Sequence, residues 1–165
     1  MPAKPADLFT FLDQLQVSHH SVTHAPLFTV EQSRSLRGLV PGGHTKNLFL
    51  KDKKGGLYLV VALEDAAIDL KSLQKFLGAG RLSFGSTDLL RQTLGVEPGS
   101  VTPFAAVNDE SRRVTIILDA AMMEHETLNY HPLVNTMTTS IGSGDLLKFL
   151  EATGHRPRIV PVSSG

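Results

Sequence analysis

Three short segments place side chains and backbone groups where they could act on an anion or an ester. His44-Thr45-Lys46-Asn47 runs directly into the apolar stretch Leu48-Phe49-Leu50, so Lys46 puts a cation at a strand entrance. An ammonium on a flexible stem offers three donors and suits a phosphate or carbonyl, although a solvated strand-entrance lysine has the same sequence. Gly99-Ser100-Val101-Thr102-Pro103 opens another apolar run at Phe104. Gly99 lets the chain turn or approach a ligand closely, and Pro103 fixes the exit at an edge or strand start. The amides between them could hold an oxyanion and the carbonyls could orient a water, though an ordinary loop is also compatible. In the third segment, Asn129 to Thr136, His131 precedes Pro132 and is therefore held in an extended conformation. It could line a pocket, donate a hydrogen bond or titrate near neutrality, with Asn135 and Thr136 adding polar groups beside it.

No covalent nucleophile accompanies these groups. The chain has no cysteine, which excludes disulfides, thiolate catalysis and cysteine–zinc sites. Ser100 has no activating histidine and acid evident in the sequence, so a serine-hydrolase reading is poor. His19, His20 and His24 fall in a strand-like stretch whose neighbours point to opposite faces, so they are not expected to converge on a metal. His125 lacks the helical spacing of a zinc protease, and neither a Walker loop nor a dinucleotide fingerprint is present.

The bulk composition narrows the class further. The 165 residues fit one domain, and 41% hydrophobic with 19% charged content is that of a folded protein. Sixteen basic residues balance sixteen acidic ones, which argues against a global grip on duplex nucleic acid and against sequence-specific DNA binding. A local basic rim for an RNA end stays possible, with Lys51, Lys53 and Lys54 opposed only by Asp52. The same lysines could simply keep a hairpin soluble. No stretch approaches the length of a signal peptide or membrane span, so a cytoplasmic, non-membrane protein is expected.

The elements that must position these segments can be read from periodicity. Leu8, Phe11, Leu12 and Leu15 predict a first helix over 7–16, followed by a strand over 17–24 and a helix starting at Thr29. Leu48–Leu50 and Leu57–Val61 flank Lys53-Lys54-Gly55-Gly56 as a hairpin. Leu70 to Leu77 reads as a helix stopped by Gly78, and Ser86 caps a short helix ended by Gly95. A second hairpin is expected from Pro103–Val107 and Val114–Leu118, and a further strand pair flanks His131-Pro132. Ser143 is expected to cap a last helix through Leu150, stopped at Gly154, before a terminal strand over 158–162. Hairpins with irregularly interspersed helices favour an α+β fold with a curved, mixed β-sheet.

Taken in order, HTKNLFLKDKKG, LYLVVAL, RLSFGS, GSVTPFAAVND, NYHPLVNTMTTSI and DLLKFLEATGH resemble the prolyl-tRNA editing superfamily of aminoacyl-tRNA deacylases. The resemblance runs from about Leu8 to Pro157 and is strongest to the alanyl-tRNA(Pro) deacylase branch, relatives of the insertion domain of bacterial prolyl-tRNA synthetase. It implies a single editing domain over 1–165, with a mixed, barrel-like β-sheet and surrounding helices. It implies that Lys46 contacts the phosphate at the 3′ end of the charged tRNA. Gly99, Ser100, Val101, Thr102 and Pro103 would form the catalytic loop, and His131, with Asn135 and Thr136, would line the aminoacyl pocket.

That resemblance also implies a trans-editing hydrolase acting on mischarged tRNA(Pro), with neither a cofactor nor a metal. Water would attack the ester directly, assisted by the substrate's ribose 2′-OH. Prolyl-tRNA synthetase is a candidate partner. A cysteinyl-tRNA(Pro) deacylase and a non-catalytic module for tRNA ends are the alternatives that these residues leave open.

Overall fold

A computed structural model describes residues 2–25 and 40–162. The helix expected from Thr29 lies outside them. Helix α1, Pro5–Gln14, begins on a proline, which suits a first-turn position whose amide has no intrahelical partner. Asp7 Oδ2 accepts the Lys4 N–H at 2.9 Å. Leu8 and Leu12 bury the inward face. Strand β1 is His19–Thr23.

The first hairpin is present and longer than its apolar runs indicated. Strand β2, Gly43–Asp52, pairs antiparallel with β3, Leu57–Leu63, in a register that sets Lys46 opposite Ala62 and Phe49 opposite Leu59. Gly55, at φ 92°, makes the turn. Asp52 fastens it by accepting the Gly56 amide at 2.7 Å and the Lys54 amide at 3.0 Å. Helix α2, Leu70–Leu77, is capped by Asp69 and ends on Gly78 at φ 62°. Strand β4, Leu82–Phe84, adds to β2. Helix α3, Thr87–Leu94, has Ser86 accepting from the Leu89 amide and ends on Gly95 at φ 65°. Both helices therefore stop where the left-handed conformation needs glycine.

The second hairpin does not form. Pro103–Asn108 is a 3-10 helix and Phe104, Ala105 and Ala106 are buried. Thr102 caps it, and Asp109 closes it by accepting the Arg113 and Val114 amides. The run is apolar because it crosses the core as a helix, a case that periodicity cannot separate from a buried strand over five residues. Strand β5, Val114–Asp119, instead lies parallel to β3. Strands β6, Thr127–Tyr130, and β7, Met137–Gly142, are antiparallel around the His131-Pro132 break. Helix α4, Ser143–Ala152, is capped at Gly142, so Ser143 is its first residue rather than its cap. Strand β8, Arg158–Val160, pairs parallel with β5.

The eight strands make one mixed sheet, ordered β1-β7-β6-β2-β3-β5-β8, with β4 attached to β2 beside this path. One face packs against α1, α3, α4 and Phe104; the other packs against α2 through Leu50, Val60, Ala62 and Leu73. Alternation along β2 therefore sends Phe49 and Asn47 toward the first face, and Leu50, Leu48 and Lys46 toward the second. Among the described residues, no helix is long and apolar enough to cross a membrane.

Candidate functional site

Strand β2 carries a gap along one edge. It pairs with β6 only through Gly43 and His44 and with β4 only from Leu50 onward, so residues 45–49 have no strand partner on that side. The β4 side of the gap is closed by one bond, from the Gly85 N–H to the Phe49 carbonyl at 2.9 Å. A Cβ on Gly85 would sit 2.4 Å from the Phe49 ring, so only glycine fits there. The gap opens into a cavity of about 190 Å³ lined by Asn47, Phe49, Phe84, Thr87, Pro98 and Val101, among others. The loop singled out by its glycine and proline thus faces the same break in the sheet as Asn47.

The loop itself is two 3-10 turns joined by two extended residues. Pro98–Ser100 forms the first turn, with the Ser100 N–H donating to the Glu97 carbonyl at 2.8 Å. Ser100 is buried and its amide is thereby occupied, while Gly99 is exposed. Val101 is extended, and Thr102, at φ −159° and ψ 148°, is fully buried. The Thr102 hydroxyl accepts the Phe104 amide at 3.3 Å. Among the described residues, no hydrogen bond takes up the Thr102 N–H. Pro103, expected to lead into a strand, opens the second 3-10 turn instead, because its fixed φ suits a first helical position.

The third segment reaches the loop through Asn135. A Cβ built on Gly99 would lie 3.2 Å from Asn135 Nδ2, which measures how closely the two approach. His131 is partly buried, and its Nδ1 lies 2.9 Å from the Met137 carbonyl. A carbonyl only accepts, so Nδ1 carries the proton. Burial lowers the ring's pKa; the Met137 bond opposes this and His24 reinforces it. The ring is therefore held neutral near pH 7, with Nε2 left as an acceptor. Thr136 is exposed, and its carbonyl accepts the His24 amide at 2.8 Å. Leu133, at φ 72°, is a bulky residue in the left-handed region, so this segment is strained where the pocket residues sit.

Lys46 is placed differently from the loop. It projects on the α2 face, and its Nζ donates to the Ala66 carbonyl. Asn47 projects on the loop's face, and its Oδ1 is buried with no hydrogen-bond partner among the described residues. Such an orphan acceptor costs about 1–3 kcal/mol, and here it lines the cavity beside Pro98 and Val101. The structure thus brings Gly99 to Asn135 and Asn47 to Val101. It leaves Lys46 on the far face of the same open strand.

Two further residues adjoin the site: His24, weighed in the sequence only as part of a rejected metal cluster, and Asn129, which opens the third segment. His24 stands with its ring centroid 6.2 Å from that of His131, its Nε2 2.8 Å from Thr138 Oγ1. Only the pairing of β1 with β7 brings it there. Asn129 ties the site's edges together: its amide donates to the Pro41 and Gly43 carbonyls at 3.1 and 3.2 Å, and its Oδ1 accepts from Ser140 at 2.5 Å. Thr45 Oγ1 donates to the Asn129 carbonyl at 2.6 Å. Among the described residues, no three histidine, aspartate or glutamate side chains converge as a metal site.

The family model for the aminoacyl-tRNA editing domain matches residues 24–149. A prolyl-tRNA synthetase associated domain-containing protein 1 from Danio rerio is 38% identical over 156 residues, covering 93% of this chain and 85% of its own. A prolyl-tRNA editing protein, ProX, from Acetoanaerobium sticklandii is 36% identical over 156 residues, covering 94% of each chain. Among solved structures, a hypothetical protein superposes with a TM-score of 0.76 at 17% identity, covering 98% of this chain and 100% of that one. A candidate trans-editing enzyme for prolyl-tRNA synthetase superposes with a TM-score of 0.74 at 18% identity, with both chains fully covered. At those identities the two structures speak to the fold alone.

Proposed function

The chain belongs to the aminoacyl-tRNA editing domain family, and on that premise we propose that it is a trans-editing deacylase of mischarged tRNA(Pro), with alanyl-tRNA(Pro) as substrate. The observation that carries this reading is the gap in β2, faced by a small polar pocket and a glycine-opened loop whose buried Thr102 amide is unspent among the described residues. The substrate class is supported by its relatives, a prolyl-tRNA editing protein among them.

The chemistry rests on the groups present. A water held by loop carbonyls attacks the ester carbon, and the negative charge that develops on the carbonyl oxygen is met by backbone amides, Thr102 foremost. The 2′-OH beside the ester assists the departing 3′ oxygen. Neutral His131 accepts a hydrogen bond from the substrate's α-ammonium at Nε2, and Asn135 bounds the pocket against Gly99. Lys46 exchanges the Ala66 carbonyl for a terminal phosphate.

Alanine is the error that a prolyl site cannot exclude by size. Each missing methylene discriminates by only about 1–3 kcal/mol, so a second and smaller site has to remove the product. An enzyme with that substrate works wherever tRNA(Pro) is charged, in the cytoplasm, and prolyl-tRNA synthetase is its natural partner.

The test compares alanyl-tRNA(Pro) ending in ribose or 2′-deoxyribose, with the unaltered protein and with Lys46→Ala. Rapid hydrolysis of the ribose substrate and none of the deoxy substrate are expected. Loss of one charge-assisted contact should lower kcat/KM by about 10–100-fold in Lys46→Ala. Equal hydrolysis of both substrates would refute assistance by the 2′-OH. Full activity of Lys46→Ala would remove its role.

A further inference from the structure

The register of the sheet lines up polar side chains on the face that carries Lys46. His20 stands opposite Ser140, Ser140 opposite Asn129, and Asn129 beside His44, and directly paired residues share a face. Two residues along, the next row is Val22, Thr138, His131 and Lys46, with His131 just past the end of β6 and the gap between it and Lys46. A third row begins at His24, whose N–H donates to the Thr136 carbonyl at 2.8 Å. Its ring centroid lies 6.2 Å from that of His131. The two imidazoles therefore stand side by side on the same face as Lys46.

The hydrogen bonds fix the state of both rings. His24 Nδ1 lies 2.7 Å from the Ala25 carbonyl, which only accepts, so Nδ1 carries a proton. His24 Nε2 lies 2.8 Å from Thr138 Oγ1. Thr138 is buried, and its hydroxyl has no other hydrogen-bond partner among the described residues. The hydroxyl therefore donates to Nε2, because a second proton on that ring would leave the buried hydroxyl proton unanswered. His131 repeats the pattern, with Nδ1–H on the Met137 carbonyl and Nε2 open. Neither ring is a cation. The other titratable groups of this face on β1, β6, β7 and the start of β2 stand apart from the pair. His20 is four residues back along β1, about 13 Å. His44 turns its Nε2 to the Val40 carbonyl at 2.9 Å, and Lys46 holds the Ala66 carbonyl.

Resting on the deacylase reading, we propose that His24 is a second wall of the aminoacyl pocket, held uncharged by Thr138 so that the substrate's α-ammonium can settle beside it. His131 accepts one N–H of that ammonium, and His24 faces the same positive charge. Two like charges about 6 Å apart in a partly buried site repel enough to weaken binding about 10–100-fold. Thr138 acts through His24 and is a positioning residue: its one proton keeps Nε2 an acceptor.

The experiment uses the full chain and two RNA hairpins whose unpaired 3′ ends carry alanine or lactate through a stable amide. Lactate replaces the α-ammonium by a hydroxyl of similar size. Affinities are read by fluorescence anisotropy at one fixed salt concentration. His24→Lys should lower the ratio of alanyl to lactyl affinity by about 10–100-fold. His24→Gln, uncharged and still able to accept from Thr138, should hold that ratio within about threefold of the unaltered protein. Thr138→Val should shift the nitrogen NMR signal of His24 Nε2 and leave that of His131 Nδ1 in place. An unchanged ratio in His24→Lys, or a ratio that falls equally in His24→Gln, would overturn the uncharged wall. So would failure of the unaltered protein to bind either hairpin. An unmoved Nε2 signal in Thr138→Val would remove Thr138 from it. Failure of the unaltered protein to hydrolyse any charged tRNA(Pro), with the hairpin results as expected, would overturn the deacylase reading and leave the wall standing.

Discussion

At the scale of single residues, the site is built from groups held in one chemical state. His131 is the clearest case: its Nδ1–H faces the Met137 carbonyl, and burial disfavours the imidazolium. The sign is definite. A lowered pKa keeps the ring neutral at its ordinary value of about 6.5, so the Nε2 acceptor persists there and is lost only in more acidic solution. The acid limb of kcat/KM is expected below pH 6.5, matching the ring titration of His131 monitored by NMR. A ring that titrates at or above that ordinary value would remove this account. His131 is legible in the sequence because a proline stands after it; its partner His24 is not. The two lie far apart in the chain and meet only through the register that sets Thr23 opposite Met137. The buried Asn47 carbonyl is equally silent, since nothing in a sequence says which polar atom lacks a partner.

The elements explain which parts of the three segments come together: Asn47 with Val101, and Gly99 with Asn135. The loop over 99–103 is recognisable by its glycine and proline, and its Val101 lines the cavity at the open edge of β2. The next run, Phe104-Ala105-Ala106, reads as a strand but is a 3-10 helix, because it is apolar throughout and too short to show a period. The helices ended by Gly78 and Gly95 are legible, since a left-handed terminus is a demand on one residue that glycine meets. Two other glycines separate site from scaffold. Gly99→Ala brings a methyl to 3.2 Å from Asn135 Nδ2, so it should lower kcat/KM about tenfold, with stability within about 0.5 kcal/mol of the unaltered protein. Gly85→Ala drives a methyl into the Phe49 ring and should destabilise the fold by about 1–3 kcal/mol, read from urea unfolding. A Gly99→Ala protein that loses stability rather than turnover would assign Gly99 to the scaffold.

Across the whole molecule, the loop proposed as catalytic is continued by a 3-10 helix into a buried polar cluster. The 3-10 helix that begins at Pro103 ends at Asp109, which is buried and bonds His155 Nε2 at 2.9 Å, while Thr153 Oγ1 meets His155 Nδ1 at 2.9 Å. This chain links the end of α4 to the start of β5. Removing the Asp109 carboxyl leaves His155 Nε2 and the Arg113 and Val114 amides without that partner, so Asp109→Ala should lower stability by about 1–3 kcal/mol for each buried group left unanswered, read from urea unfolding. A loss below about 1 kcal/mol would show that this carboxyl carries no such load. The mixed sheet itself is legible from the spacing of hairpins and helices. Its strand order is not, because parallel pairing of β3 with β5 and of β5 with β8 joins segments that share no turn.

The central claim concerns the bond that this cleft breaks and the amino acid it releases. Deacylation of alanyl-, cysteinyl- and prolyl-tRNA(Pro) by the purified protein, run in parallel, tests it most directly. The account predicts rapid loss of alanine, slower loss of cysteine and intact prolyl-tRNA(Pro). Faster release of cysteine would contradict the alanine assignment, and three intact esters would reduce the protein to a binder of tRNA ends.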